Sequence, residues 1–328
     1  MLGPTPLVSV VIPTYNRAPI VCDALESVRR QTYRPIEVIV VDDGSTDGTE
    51  ALTRDWQAKH ATEDGFISRY VSQKNQGGNV ARNRGIAQCT GDYVAFLDSD
   101  DCWLPEKLAK QMRVLLTNDD DMGAVYCGLC HVELATGEVL ETPRRSFPTG
   151  RLLDQLLVRD VTAPTSAYLI RRGVFRHVGI FDTELQARQD WDMWIRIASK
   201  YRIGAVPEAL VEYREHSGER TRTDPQKEIN AYQRILAKYA SLRLGLSLST
   251  RRSVKAAYYR RMGRVYYHHG ISTRKAIGFH AKSILTWPCD FDSYSAFVGI
   301  FLPSRVRRAM HQRWNHIFGA TRFSIRSH

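Results

Sequence analysis

At 328 residues, 43% hydrophobic and 25% charged, the chain can bury a sizeable core and is excluded from the disordered class. It has no apolar stretch of bilayer-spanning length, and Met1 to Pro6 lacks the charged and apolar regions of a secretory signal, so a cytoplasmic location is expected. The net charge of +11 is uneven: residues 221–328 hold 20 Lys+Arg against 4 Asp+Glu, and residues 1–220 hold 26 against 31, which sets an acidic-to-neutral front apart from a strongly basic tail.

Leu7 to Ile12 is a β-branched run stopped by Pro13 and followed by Thr14-Tyr15-Asn16. The spacing of Ile20, Ala24, Leu25 and Val28 predicts a helix from about Pro19 to Gln31. Ile36 to Val41 predicts a second strand, ending in Asp42-Asp43-Gly44-Ser45-Thr46-Asp47. Asp47 with Glu50 reads as a capping pair for the next helix. Phe66 to Val71 is a weaker strand and Gly78 to Gln88 a helix. Tyr93 to Leu97 is then an apolar strand that ends abruptly in Asp98-Ser99-Asp100-Asp101.

Further on, Gly123 to Val139 predicts a hairpin with Ala135-Thr136-Gly137 as its turn. Thr162-Ala163-Pro164-Thr165-Ser166 is a polar loop, and Asp190 opens an aromatic helix (DWDMWIRIASKY). Ile203 to Val206 and Leu210 to Tyr213 are expected as two short strands. Helices follow at about 226–240, 249–269 and 272–285. The six cysteines are too few for a disulfide framework. Cys127-Gly-Leu-Cys130 falls in a strand without a second pair for zinc, so reduced structural thiols are expected.

Strands alternating with helices, and apolar on both faces, predict an α/β fold with a mostly parallel central sheet flanked by helices. In such sheets ligands sit beyond the carboxyl ends of the strands. Three polar clusters, Thr14-Tyr15-Asn16, Asp42-Asp43 and Asp98-Ser99-Asp100, therefore converge on one crevice.

Three carboxylates within four residues cannot be buried without partners, so they belong at an open sheet end beside a cation. If extended geometry persists, Asp98 and Asp100 project to one side and suit Mg²⁺ or Mn²⁺. The alternative is a solvated turn ahead of the helix after Pro105. An aspartate at a strand end can accept from a base or ribose, and Tyr15 can stack on a ring. With neither a GxxxxGK[ST] loop nor a GxGxxG turn, a pyrophosphate here would need a metal to neutralise it.

The ordered motifs Val10-Val11-Ile12-Pro13-Thr14-Tyr15-Asn16, Val41 to Asp47, Asn75-Gln76-Gly77, Ala81-Arg82-Asn83-Arg84-Gly85, Gly91 through Asp101, Phe181-Asp182, Gln189-Asp190-Trp191-Asp192 and Arg196 resemble those of family 2 glycosyltransferases with the GT-A fold. The resemblance implies a catalytic domain over residues 1–222, which leaves the basic, helically patterned region 223–328 outside it. It further implies inverting, divalent-metal-dependent transfer (Mn²⁺ or Mg²⁺) from a nucleotide-diphosphate sugar, UDP-sugar first among the candidates. The acceptor would be a glycan or lipid-linked hydroxyl in cell-surface polysaccharide synthesis.

By the same resemblance Asp43 reads the nucleobase, in a pocket walled by Pro13, Thr14 and Tyr15, with Asp42 either touching the nucleotide or capping the Gly44 turn. Asp98 is the first acid of the DxD motif, at the ribose or metal, and Asp100 is the metal ligand. Asp190 is the base, or alternatively a helix N-cap. Asp101 either lines the acceptor side or caps a helix. Gln189 stands where the family commonly has Glu, which signals a different acceptor contact. His216 matches a histidine near the metal, while Arg82, Arg84, Arg220 and Arg222 are candidate phosphate donors or solvated charges.

In the tail, Arg251-Arg252, Arg260-Arg261, Arg305 to Arg308 and Arg313 interleave with Tyr258, Tyr259, Tyr266, Tyr267, Trp287 and Trp314, and Phe297 to Leu302 is apolar. This pattern suits the inner, anionic face of a membrane or a helical cap; nucleic acid is not the expected partner. No motif speaks to oligomeric state. The rival functions are a nucleotidyltransferase and a non-catalytic carbohydrate- or partner-binding protein on a transferase scaffold.

Overall fold

The computed structural model describes residues 5–18, 20–134, 136–142, 146–215 and 224–302. The chain divides into two compact units, Met1–Asp224 and Pro225–His328.

The first unit is organised around one sheet. Its front half alternates β1 (Val8–Thr14), α1 (Val21–Arg29), β2 (Ile36–Asp42), α2 (Thr49–Lys59), β3 (Phe66–Ser72), α3 (Gly78–Gln88) and β4 (Tyr93–Phe96). β1 and β2 are buried along their whole length, so their sequences are continuous apolar runs without alternation. β3 is the edge strand, and its mixed burial explains its weaker sequence signal. β1 pairs in parallel with β2 and β4, and β2 with β3, which brings three strand ends side by side. α3 lies against β1 at Gly85, where a Cβ would stand 2.3 Å from Val11 Cγ1. Only glycine permits that approach.

The back half holds β5 (Cys102–Trp103), α4 (Lys107–Leu116), β6 (Met122–Glu133), β7 (Val139–Glu141), α5 (Leu153–Val158), β8 (Tyr168–Arg171), α6 (Val174–Val178), α7 (Gln189–Ala198) and β9 (Arg202–Glu215). The strand order is β3-β2-β1-β4-β8-β6-β9-β5, with β7 on β6. β8 is antiparallel to β4 and β6, and β5 to β9, whereas β6 and β9 are parallel. The sheet is therefore mixed, its long ladders parallel and its short additions antiparallel: an apolar run reports that a strand is buried, not which way it runs. The two short strands expected at 203–206 and 210–213 are one strand, β9, whose register against β6 shifts around Gly128. β6 and β7 form the expected hairpin.

The expected Asp47–Glu50 capping pair does not form. Asp47 Oδ1 accepts from the Thr49 N–H (3.0 Å) and Oδ2 from Ala18 N–H (3.1 Å), while Glu50 pairs with Arg54. Cys127 and Cys130 are buried free thiols, as anticipated.

The second unit is helical over its described residues: α8 (Pro225–Lys238), α9 (Ala240–Leu244), α10 (Leu248–His268), α11 (Thr273–Thr286) and α12 (Phe291–Gly299). α10 and α11 meet closely at Gly263, where a Cβ would lie 2.6 Å from the His280 ring. The Ser283 hydroxyl, bonded to Ala256 O and Ser293 Oγ (2.6 Å each), links α11 to α10 and α12. Arg260 is buried and ion-paired with Asp290, so this member of the basic clusters is structural.

Candidate active site

The β2 strand enters the crevice with two carboxylates that do different work. Asp42 Oδ1 accepts from the Ser45 N–H (2.8 Å) and Oδ2 from the Tyr70 hydroxyl (2.6 Å). Asp43, buried, accepts from Gln73 Nε2 (2.7 Å), Gln76 N–H (2.9 Å) and Gly77 N–H (2.7 Å). A carboxylate can satisfy that many donors, and charge-assisted bonds are the strong ones. Asp43 thus pins the 73–77 segment ahead of α3. Gly44, at φ +81° with room for no Cβ beside Asn75 N (2.9 Å), lets the chain turn between the two.

From the end of β1, Pro13 and Thr14 are buried and Tyr15 is 45% exposed, so an aromatic face is available at the rim. The Thr14 hydroxyl oxygen is buried with no hydrogen-bond partner. Asn16 has a left-handed backbone (φ 50°) and stitches this loop to the next: its N–H donates to Ser45 Oγ and its Oδ1 accepts from Thr46 N–H, both 2.8 Å.

The acidic segment after β4 is a turn. The strand stops at Phe96, and Asp101 N–H closes onto Asp98 O at 2.9 Å. The extended geometry expected to put Asp98 and Asp100 on one side of a strand does not persist. Each acid instead faces an arginine: Asp98 Oδ1 lies 2.6 Å from Arg82 Nη2, and Asp100 Oδ2 lies 3.7 Å from Arg17 Nη2. Asp101 is 1% exposed and accepts from the Ser166 hydroxyl (2.7 Å). Its side chain is directed into the interior.

Across the crevice, Asp190 is the second residue of α7. It is not the N-cap, which is Arg188, at φ 57°. Asp190 keeps some accessible surface yet sits in a recess crowded by protein atoms, and this desolvation raises its pKa above the usual carboxylate value. The Trp191 N–H on its Oδ1 (2.8 Å) and the charges of Arg188 and Arg82 pull the other way, and Asp98 pushes it up. Asp190, Arg82 and Asp98 therefore feel one another. Arg82 is itself nearly buried, 5.8 Å over the Phe181 ring.

α3 fixes the segment leading to α7. Asn83 exchanges two 2.8 Å bonds with the Phe181 backbone, and Asn79 Nδ2 donates to Asp182 O (3.1 Å) and Leu185 O (2.8 Å). Gln189 stands partly exposed beside Asp190, and Arg84 is exposed. His216, Arg220 and Arg222 lie outside the described residues. Arg17, Asn79, Asn83, Ser166 and Arg188 join these contacts without having been expected to; Asn83, inside a quoted motif, and Ser166, in the polar loop, carried some signal.

A family model described as glycosyl transferase family 2 matches residues 9–179. The chain belongs to this family. It is 32% identical over 67% of its length to an uncharacterized glycosyltransferase of Rickettsia felis, of which it spans 35%. It is 31% identical to the putative teichuronic acid biosynthesis glycosyltransferase TuaG of Bacillus subtilis, over 64% of this chain and 79% of that one.

Among solved structures, Staphylococcus aureus TarS 1–349 in complex with UDP-GlcNAc superposes with a TM-score of 0.62 at 18% identity, covering 93% of this chain and 92% of that one. Mannosyltransferase PcManGT from Pyrobaculum calidifontis, in complex with GDP-Man and Mn²⁺, gives 0.57 at 21%, covering 96% and 81%. These two likenesses concern the fold, which is GT-A.

Proposed function

We propose that this family 2 protein is an inverting glycosyltransferase. It moves a sugar from a nucleotide-diphosphate donor, a UDP-sugar first, to a hydroxyl of a glycan or lipid-linked acceptor in cell-surface polysaccharide synthesis. The catalytic machinery lies within residues 1–222. The observation that carries this reading is the shared electrostatic environment of Asp98, Arg82 and Asp190: a DxD acid and a desolvated carboxylate face each other across one crevice.

Among the described residues no group of three His, Cys, Asp or Glu is placed to hold a metal. Two carboxylates do suffice for a small hard cation, which keeps several waters and completes its shell with substrate phosphate. The side chains of Asp98 and Asp100 retain 32% and 17% of their exposure, and their cationic neighbours are arginines. This donor set fits Mg²⁺ or Mn²⁺, held by Asp100 with Asp98 at the metal or ribose; His216 is the further candidate by family resemblance. When bound, such an ion would offset charge developing on the departing diphosphate.

The chain's own residues supply the rest. Tyr15 offers a face for the base, with Pro13 and Thr14 behind it. Asp43 holds the 73–77 wall and, with one acceptor site left on Oδ2, reads the base edge; Asp42 keeps the neighbouring turn in place. Asp190 takes the proton from the attacking acceptor hydroxyl as the new glycosidic bond forms opposite the leaving group. A raised pKa makes it a better base than a solvated aspartate. Gln189 and Arg188, beside it, face the acceptor, and Arg220 is the candidate for the diphosphate by family resemblance.

The basic second unit is assigned to the anionic inner face of the membrane. Among the described residues, no helix is long and apolar enough to cross a membrane, while Phe291, Tyr294 and Val298 at helical spacing on α12, and Phe301 in the turn after it, are all exposed. Surface attachment of that kind needs a basic segment with an apolar stripe.

Incubating the protein with Mn²⁺ and a panel of nucleotide-sugars tests the proposal. One donor should protect against thermal unfolding and release nucleoside diphosphate. Protection by none, or release of pyrophosphate from a nucleoside triphosphate, would contradict it.

A further inference from the structure

Beneath the acidic turn, one buried hydroxyl touches both of its ends. Ser166 Oγ accepts from the Asp98 N–H at 3.1 Å and donates to Asp101 Oδ2 at 2.7 Å. It belongs to a short 3-10 turn, Thr165–Ala167, sixty-five residues further along the chain.

That turn is itself immobilised. Trp103 Nε1 donates to Ser166 O (2.8 Å), Gln111 Nε2 to Ala167 O (2.7 Å), and Ala167 N–H closes on Pro164 O (3.0 Å). Ser166 has no exposure, and Trp103, Gln111 and Asp101 are buried with it. A fully satisfied buried polar cluster has few alternative arrangements, and it stands directly under two acids that carry no strand pairing of their own.

We propose that Ser166 is a positioning residue, fixing the Asp98–Asp101 turn so that the Asp98 and Asp100 carboxylates are presented to a divalent cation and the diphosphate it accompanies. The inference rests on the reading of that turn as the cation site. Ser166 touches neither ligand; it acts through the Asp98 backbone and the Asp101 side chain. Buried partners that orient ligating carboxylates are typically worth 10- to 100-fold in metal affinity.

The test is Mn²⁺ affinity in the presence of saturating UDP, read by the Mn²⁺ EPR signal, together with the melting temperature of the ligand-free protein. Ser166→Ala is expected to weaken Mn²⁺ uptake by about tenfold or more, and Ser166→Thr, which keeps the hydroxyl, to recover most of it. Asp101→Asn keeps an oxygen acceptor for Ser166 and is expected to stay within about threefold of wild type; it keeps the test open if Ser166→Ala does not fold.

A lowered melting temperature with unchanged Mn²⁺ affinity in Ser166→Ala would overturn the proposal. So would an Asp101→Asn loss of tenfold or more, which would make the Asp101 charge, not the latch, the cause. If wild-type protein takes up no Mn²⁺ with UDP, the assignment of the cation site falls, and this inference with it.

Discussion

Arg82 Nη2 lies 2.6 Å from Asp98 Oδ1, and the same guanidinium lowers the pKa of Asp190 on the other side of the crevice. One nearly buried cation thus joins the acidic turn to the proposed base, and it comes from α3, the helix whose Asn79 and Asn83 hold the segment leading to α7. The acidic turn and the segment leading to the proposed base are thus held by the same helix.

Arg82→Met removes a positive charge that favours ionised Asp190, so the Asp190 pKa rises further. A base works only when ionised, and the acid limb of the kcat profile should therefore move to higher pH in the variant. An acid limb that stays in place, with activity otherwise measurable, would separate Asp190 from Arg82.

Asp43→Ala strips the acceptor from three donors at once: Gln73 Nε2, Gln76 N–H and Gly77 N–H. The expected cost is roughly 2 kcal/mol, since hydrogen bonds to a buried charged group are lost while the freed donors, Gln76 and Gly77 being exposed, can turn to water. Urea titration measures it. Nucleotide protection against unfolding should disappear in the same variant, because the wall at 73–77 is no longer held.

Lys107 has no exposure. Its Nζ donates to Gln111 Oε1 (2.9 Å) and lies 3.8 Å from the Trp103 ring centroid, and burial lowers its pKa to about 8. The unfolded chain holds this proton up to the ordinary value of 10.5. Between those pH values the unfolded state binds more protons, so this group's contribution to stability rises with pH; below pH 8 its full burial penalty remains. Relative to Lys107→Met, wild-type protein should gain about 3 kcal/mol from pH 7.5 to 10.5. A pH-independent difference between the two would mean that Lys107 keeps its ordinary pKa.

The protein should co-float with vesicles containing anionic lipid and be released by salt. Phe291→Ser with Phe301→Ser, at positions 60% and 63% exposed, should lower partitioning by about 100-fold without changing donor turnover in solution. Flotation unaffected by the pair would assign the stripe elsewhere.

How much of this was legible beforehand depends on the range of the interaction. Asp43, Asp98 and Asp190 stood out because each follows an apolar run or opens an aromatic helix, and an abrupt switch from buried to charged marks a strand or helix end. The parallel front half followed from strand–helix alternation. Strand direction in the back half did not, because β8 and β5 are short and their partners are set by chain crossovers that leave no local pattern.

The extended geometry considered for Asp98 to Asp100 gives way to a turn for a specific reason: the Asp101 N–H turns back onto Asp98 O, and no residue type in that stretch forces or forbids the turn. Ser166 on Asp101 and Asn83 on Phe181 bridge 65 and 98 residues. Serine and asparagine carry no periodic signal, and partners so distant become visible only once the sheet brings them together.

The central claim, that the acidic turn binds a donor's diphosphate through a cation, is tested most directly by calorimetric titration of UDP with Mn²⁺ into wild-type protein and Asp100→Asn. Wild-type protein should bind UDP only weakly once Mn²⁺ is chelated, and Asp100→Asn should lose at least about tenfold, or 1.4 kcal/mol, with Mn²⁺ present. UDP binding of equal strength with and without Mn²⁺, and in both proteins, would contradict it.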